Sequence, residues 1–345
     1  MTSIKDVARH AGVSVTTVSH TLNGTRAVQG DTRERVLAAV QALGYVPSAV
    51  ARSLKTQATH TIGMLVPSSA NPYFAELVHA VEDACFAAGY ALLLCNTEDQ
   101  PERQRSYLDV LAQKRVDGLI VASTSDDAAM SQTLARTRLP MVLIDRAIAG
   151  LACPCVQTDH ALGAALGTRH LAAQGHRRIA CIAGPVALQS SQQRVQGWQD
   201  ALAQLGLPAA ALEVGDFSVN SGYQAMQRLL QAPAAQRPSA VLACNDLMAM
   251  GALRAAHEAG LAIPRELAVL GYDGIELASY THPALSTVAQ PTAAMAQRAL
   301  ALLLQAMRPG HGEPTPSAPP PQPELLAPTL VVRESSAAPF SESQP

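Results

Sequence analysis

Apolar positions in the first 45 residues recur at helical spacing and are interrupted at defined points. Ile4, Val7, Ala8 and Ala11 lie on one helical face. Ser3 stands where an N-cap belongs and Asp6 follows three residues later, the spacing of a capping box. Gly12 supplies a turn that tolerates positive φ. Ser14 can cap a second helix whose inner face is Val18 and Leu22, and the small Ala8 lets the two helices cross closely. A third helix is signalled by Val36, Leu37, Val40 and Leu43, with Asp31 and Glu34 as a second capping box and Gly44 as the stop. From residue 59 the texture changes. Short apolar runs at 62–66, 91–94, 118–121 and 141–144 alternate with helical stretches at 74–87, 101–113 and 128–136. A second series follows, with strands at 179–182, 240–243 and 268–270 and helices at 162–173, 193–205, 222–230, 247–259 and 293–307. Strand–helix alternation in two similar series predicts two doubly wound parallel sheets with a cleft between them.

Charge changes the reading of the head. Through residue 55 the cations Lys5, Arg9, Arg26, Arg33, Arg35, Arg52 and Lys55 face the carboxylates Asp6, Asp31 and Glu34. That is a net +4 in a chain of net −2, so the rest carries −6. A basic head on an acidic body is the footprint of a phosphate-binding module. Helical pattern alone would equally suit a small three-helix domain with no DNA role. The second helix, however, leaves Val15, Thr16, Thr17, Ser19 and His20 outside, short and mostly polar side chains suited to base edges and phosphates. With Ser14 and Arg26 they are the candidate DNA contacts. Residues 48–55 could form two helical turns capped by Ser48, too short to be stable alone. A plain linker with Leu54 packed on the body fits the residues equally well.

In open α/β sheets ligands bind beyond the carboxyl ends of the strands. The residues there are Asn71, Tyr73, Phe74, Asp145, Arg146, Arg194, Phe217, Asn245, Asp273 and Gln290. Singly, Asp145 and Asp273 could be helix caps, Arg194 a surface ion pair, and Tyr73 and Phe74 core. Together these carboxylates, amides, guanidiniums and aromatic faces suit a polyhydroxylated or heteroaromatic ligand held by hydrogen bonds and stacking.

IKDVARHAGVSVTTVSHTLNG followed by YVPSAVARSLK resembles the head and hinge of the LacI/GalR family of bacterial repressors. The resemblance covers nearly the whole chain. THTIGM, LLCNTE, QKRVDGL and GYDGIELAS are similar to ribose-responsive members, with purine-responsive members nearly as similar in the head. The resemblance implies a homodimer presenting two heads to a near-palindromic double-stranded operator. It implies that Val15, Thr16 and His20 face bases, that a hinge helix enters the minor groove, that Leu54 wedges between base pairs, and that Arg52 and Lys55 meet phosphates. Nine of the ten cleft residues, all but Tyr73, match the sugar contacts of two-lobed ribose-binding proteins, while Tyr73, Phe74 and Phe217 match the aromatics of purine-responsive members. That implies ribose or a related pentose acting as inducer, with a purine co-repressor as the alternative. The Asp145–Arg146 pair favours the sugar, because vicinal hydroxyls suit a carboxylate beside a guanidinium.

The expected fold is therefore an α/β chain: an all-α helix-turn-helix head and a two-lobed body like the periplasmic binding proteins. The expected divisions are a DNA-binding domain at 1–46, a hinge and linker at 47–58 and an effector-binding and dimerisation body at 59–334. Its first lobe is 59–158 plus 292–308 and its second 159–291 plus 324–334. A Pro-rich insertion at 309–323 and a loose tail at 335–345 complete the chain. Residues 325–332 read as a last strand. The six scattered cysteines read as reduced thiols in a cytoplasmic protein, with no metal site and no cofactor. No secretory signal or membrane-spanning run is evident. A transport-type binding protein would leave the basic head unexplained. An enzyme is disfavoured because no G-x-G-x-x-G after a strand, P-loop or G-x-S-x-G elbow occurs.

Overall fold

Ser3 does open the first helix. In the computed structural model its Oγ accepts from the Asp6 amide while Asp6 Oδ2 accepts from the Ser3 amide at 3.0 Å, closing the capping box. The structure describes residues 2–24, 26–46, 58–122, 128–148, 150–208, 211–233, 236–308 and 322–337, without the side chains of 128–130. By contacts the chain forms two units, Met1–Thr59 and His60–Pro345.

The first unit holds α1 (Ile4–Ala11), α2 (Val15–Asn23) and α3 (Gly30–Ala42). Gly12 takes φ +63°, the left-handed value that lets the chain reverse between α1 and α2. Val7, Ala8, Ala11, Val18, Val36 and Ala39 form the core. Two details of α3 differ from expectation. Gln29, not Asp31, is its N-cap, and no side chain caps it. Leu37 is 45% exposed, because the core face is taken by Val36, Ala39 and Val40.

Among the described residues the second unit has two six-stranded sheets. The first is ordered β11 (Glu324–Leu326), β5 (Cys155–Thr158), β4 (Met141–Ile144), β3 (Gly118–Val121), β1 (Thr61–Val66), β2 (Ala91–Asn96). The second is ordered β12 (Thr329–Val331), β10 (Ser286–Ala289), β9 (Ala268–Asp273), β8 (Ala240–Ala243), β6 (Ile179–Ala183), β7 (Leu212–Val214). All recorded pairings are parallel except β10 with β12. The helices are α4 (Pro72–Ala87), α5 (Pro101–Gln113), α6 (Ala128–Ala135), α7 (His160–Ala173), α8 (Gln189–Gln204), α9 (Val219–Leu230), α10 (Asp246–Glu258) and α11 (Thr292–Ala306). Strands buried on both faces, such as the fully buried β3, β6 and β8, explain why they read as unbroken apolar runs.

The sequence pattern missed β5 and β7, and it gave no strand at β10. The first is Cys-Val-Gln-Thr, half polar yet entirely buried, and the second is a three-residue edge strand. The tail also corrects the expectation. Residues 325–332 do not return as one strand: β11 joins the first sheet and β12 the second, so 324–334 belongs to both lobes. Nor is the whole of 335–345 loose. Ser335 and Ser336 are buried, and Ser335 Oγ donates to the Val269 carbonyl at 2.6 Å and accepts from the Ser286 amide at 2.8 Å. Residues 338–345 and most of the Pro-rich stretch lie outside the described residues. The chain thus passes between lobes three times, after β5, after β10 and after β11, which is the connectivity of a hinged pair.

Candidate effector cleft and DNA-reading face

In the head, Ser14 Oγ accepts from the Thr17 amide at 3.1 Å and sits 2.9 Å from the Thr17 hydroxyl, so Thr17 is engaged in capping α2. Thr16 is exposed and Val15 is 40% exposed, while His20 is half-buried. Ser14, Thr16, Thr17, His20 and Arg26 share one shallow concavity with Val28 and Gln29. The apolar stripe Val18–Leu22 is used against α1 and α3, which forces the polar stripe outward. Arg52, Leu54 and Lys55 lie outside the described residues.

In the body, the strand ends converge on a cavity of about 270 Å³, at the small end for ligand sites. Eight of the ten expected residues line it: Asn71, Tyr73, Phe74, Arg146, Arg194, Phe217, Asn245 and Asp273. Asp145 and Gln290 do not. They stand behind Tyr73, whose Oη donates to Asp145 Oδ1 at 2.5 Å and lies 3.3 Å from Gln290 Oε1. Three of the strand-end residues hold left-handed backbones without being glycine: Asp145 (φ +77°), Phe217 (φ +69°) and Asp273 (φ +113°). Such strain persists where the surroundings over-determine it, commonly at ligand sites.

Each polar group is held. Asn71 caps α4 through the Tyr73 amide at 3.1 Å. Asn245 caps α10 through the Met248 amide and donates to the Phe217 carbonyl, both at 2.9 Å, which fixes the loop that carries the aromatic ring. Arg146 Nη2 donates to Ser190 Oγ at 3.0 Å, so the first lobe's guanidinium reaches the second lobe's helix α8. Arg194 lies 3.3 Å from Asp273 Oδ1, donates to the Cys244 carbonyl, and stacks with its guanidinium carbon 3.9 Å from the Tyr272 ring centre. Phe217 occupies space that only glycine leaves at position 184, since an added Cβ there would sit 2.2 Å from the ring. Gly184→Ala should displace Phe217 and weaken effector binding by about tenfold with the fold retained; titration calorimetry with circular dichroism checks this, and unchanged affinity would refute it.

Burial sets the charge states. It pushes the Asp273 carboxyl up to about 7 in spite of Arg194. Burial, and then the neighbouring Asp273, push Asp246 up to about 8, although its oxygens accept from Gly274, Ile275 and Thr287. Burial, and then Arg194 and Arg146, hold His160 well below the usual imidazole value. Its Nδ1 accepts from Arg194 Nε at 3.4 Å, so the neutral ring carries its hydrogen on Nε2. Both aspartates are raised above their unfolded values, so the folded protein binds protons that the unfolded chain has already released near pH 4. The stability these two groups contribute should therefore be lost as pH rises from about 4 to 8, opposed below the usual imidazole value by His160, which folding holds neutral. A melting-temperature loss of about 5 °C between pH 5 and pH 8, reduced in Asp246→Asn, is expected by calorimetric scanning; a loss of equal size in that variant would contradict the assignment.

Sequence reasoning did not single out Ser190 or Leu188 on the cavity wall, nor His160 and Tyr272 behind it. Ser190 sits before the first expected residue of its helix, and Tyr272 lies in a strand expected to end at 270. Only the longer observed elements reveal them.

Two family models match the chain. The one for bacterial regulatory proteins of the lacI family covers residues 3–48, and the one for periplasmic binding proteins and the sugar binding domain of the LacI family covers residues 59–308. The chain is 46% identical over 308 residues to the HTH-type transcriptional repressor PurR of Photorhabdus laumondii, spanning 88% of this chain and 90% of that one. It is 43% identical over 307 residues to the ribose operon repressor of Escherichia coli K12, spanning 88% and 92%. Its structure resembles the lac repressor dimer bound to operator and the anti-inducer ONPF, with a TM-score of 0.85 at 31% identity over 98% of this chain and 99% of that one.

Proposed function

Because this chain belongs to the LacI family of bacterial regulatory proteins, and is a DNA-binding repressor with an effector-binding domain, we propose that its effector is ribose or a near relative among the pentoses and that the sugar releases DNA. The observation that carries this reading is the distribution of charge around the cleft. Arg146 with Ser190, and Arg194 with Asp273, put a guanidinium and an oxygen acceptor at separate points of a small cavity between aromatic faces. A ring bearing several hydroxyls satisfies both pairs. Family members act on operator DNA as dimers, and Val15, Thr16 and His20 are the residues proposed to meet base edges here.

Closure on the sugar rotates one lobe on the other. The three crossovers transmit that rotation, and linkage requires that the operator weaken sugar binding by the same factor as sugar weakens operator binding. A purine co-repressor is the second reading. It is favoured by Tyr73, Phe74 and Phe217 on the cavity wall, which could stack a planar base, and by the likeness to PurR. Calorimetry with ribose and hypoxanthine, paired with release of an operator duplex, separates the two. Heat from ribose alone, with loss of the duplex, is the expected result. Binding of hypoxanthine with tightened DNA would replace the pentose by a purine.

A further inference from the structure

Tyr73 stands at the first turn of α4, held by Asn71, and is only 4% exposed. Its hydroxyl has one hydrogen. The shorter contact, 2.5 Å to the carboxylate oxygen Oδ1 of Asp145, takes it. The same oxygen atom of Tyr73 lies 3.3 Å from Gln290 Oε1. Gln290 is otherwise engaged, since its Oε1 accepts from Thr158 Oγ1 at 2.7 Å and its Nε2 donates to Asp273 Oδ1 at 2.9 Å. Asp145 and Gln290 are the two groups that the strand-end pattern aims at the ligand and that do not reach the cavity wall. What separates them from it is the phenol.

From this geometry, and resting on the pentose reading above, we infer that Tyr73 is a specificity-determining residue whose hydroxyl stands in for one hydroxyl of the ligand, so that the cleft prefers a pentose with one hydroxyl fewer. A fully hydroxylated pentose would have to place its hydroxyl where the phenol oxygen already stands beside Asp145 Oδ1. Burial, and then Asp145, raise the Tyr73 phenol well above its usual value, so it is a donor at neutral pH. Removing only that oxygen opens a hydroxyl-sized space beside Asp145 Oδ1, and a ligand hydroxyl can then donate there directly.

The test is calorimetric titration of the full chain, wild type and Tyr73→Phe, with D-ribose, 2-deoxy-D-ribose and 5-deoxy-D-ribose. In the wild type one of the deoxy sugars should bind at least about tenfold more tightly than ribose. In Tyr73→Phe ribose should gain by about the same factor and the order should reverse. The role of Tyr73 is overturned if ribose binds the wild type as tightly as both deoxy sugars, or if the variant leaves the ratios unchanged. Should the variant fail to fold, the wild-type ratio decides alone. Binding of none of the three sugars by the wild type overturns the pentose reading itself, a result distinct from either of those.

Discussion

Arg194→Met should abolish the response to effector while the protein still binds operator. Arg194 is 4% exposed and is the hub of the second lobe's half of the cleft: it pairs with Asp273, reaches the Cys244 carbonyl and His160, and stacks on Tyr272. Methionine keeps the apolar stem against the Tyr272 ring and removes only the charge and its donors. Deleting one partner of a buried charge pair costs about 3–5 kcal/mol. Asp273, already raised to about 7 by burial, then takes up a proton and relieves part of that cost, so the variant should fold with a lower melting temperature. Effector affinity should fall more than about 100-fold. The check is duplex binding, with and without effector, using duplexes selected by the wild type from a random pool. A variant that still releases DNA at wild-type effector concentrations would remove Arg194 from the site.

Ala8→Leu should do the reverse. Ala8 is 5% exposed in a core of six buried residues, where α1 meets α2 and α3. A head of this size buries too little apolar surface to absorb an overpacked core. An insertion costing about 1–3 kcal/mol is a large share of such a unit's stability. Duplex binding should drop at least about 100-fold. Effector binding measured by calorimetry should stay at the wild-type value, because Met1–Thr59 and His60–Pro345 are separate contact units. Loss of both activities would show that the head supports the body's fold. Loss of neither would show that the α1–α2 crossing is looser than the burial of Ala8 indicates.

What could be read in advance follows from how each feature is encoded. The head was legible because caps, turns and stripes are local. Ser3 with Asp6, Gly12 and Ser14 act within one turn of their own positions. The third helix start was misread because Asp31 had the right spacing but the chain placed the cap at Gln29. Most strands of the body were legible because burial on both faces demands apolar runs. The exceptions, β5, β7 and β10, take their strand conformation from neighbours: β5 lies between β4 and β11, β10 between β9 and β12, and β7 pairs with β6 alone. The cleft was legible as a set, since strand-end positions follow from topology. Which members line the cavity was not, because the Tyr73 hydroxyl that lies against Asp145 and Gln290 is separated from them by 72 and 217 residues.

The amino-acid sequence by itself determined the helices of the head, most of the strand–helix alternation and the family, because hydrophobic period, capping and turn chemistry act over a few residues at a time. Only the tertiary structure decided that 324–331 is divided between two sheets, that Ser335 is fastened to β9 and β10, and that the Tyr73 hydroxyl bonds Asp145 beside the cleft. Those features depend on pairings between distant segments, whose partners are set by which surfaces meet when the sheets close, and no local pattern carries that information.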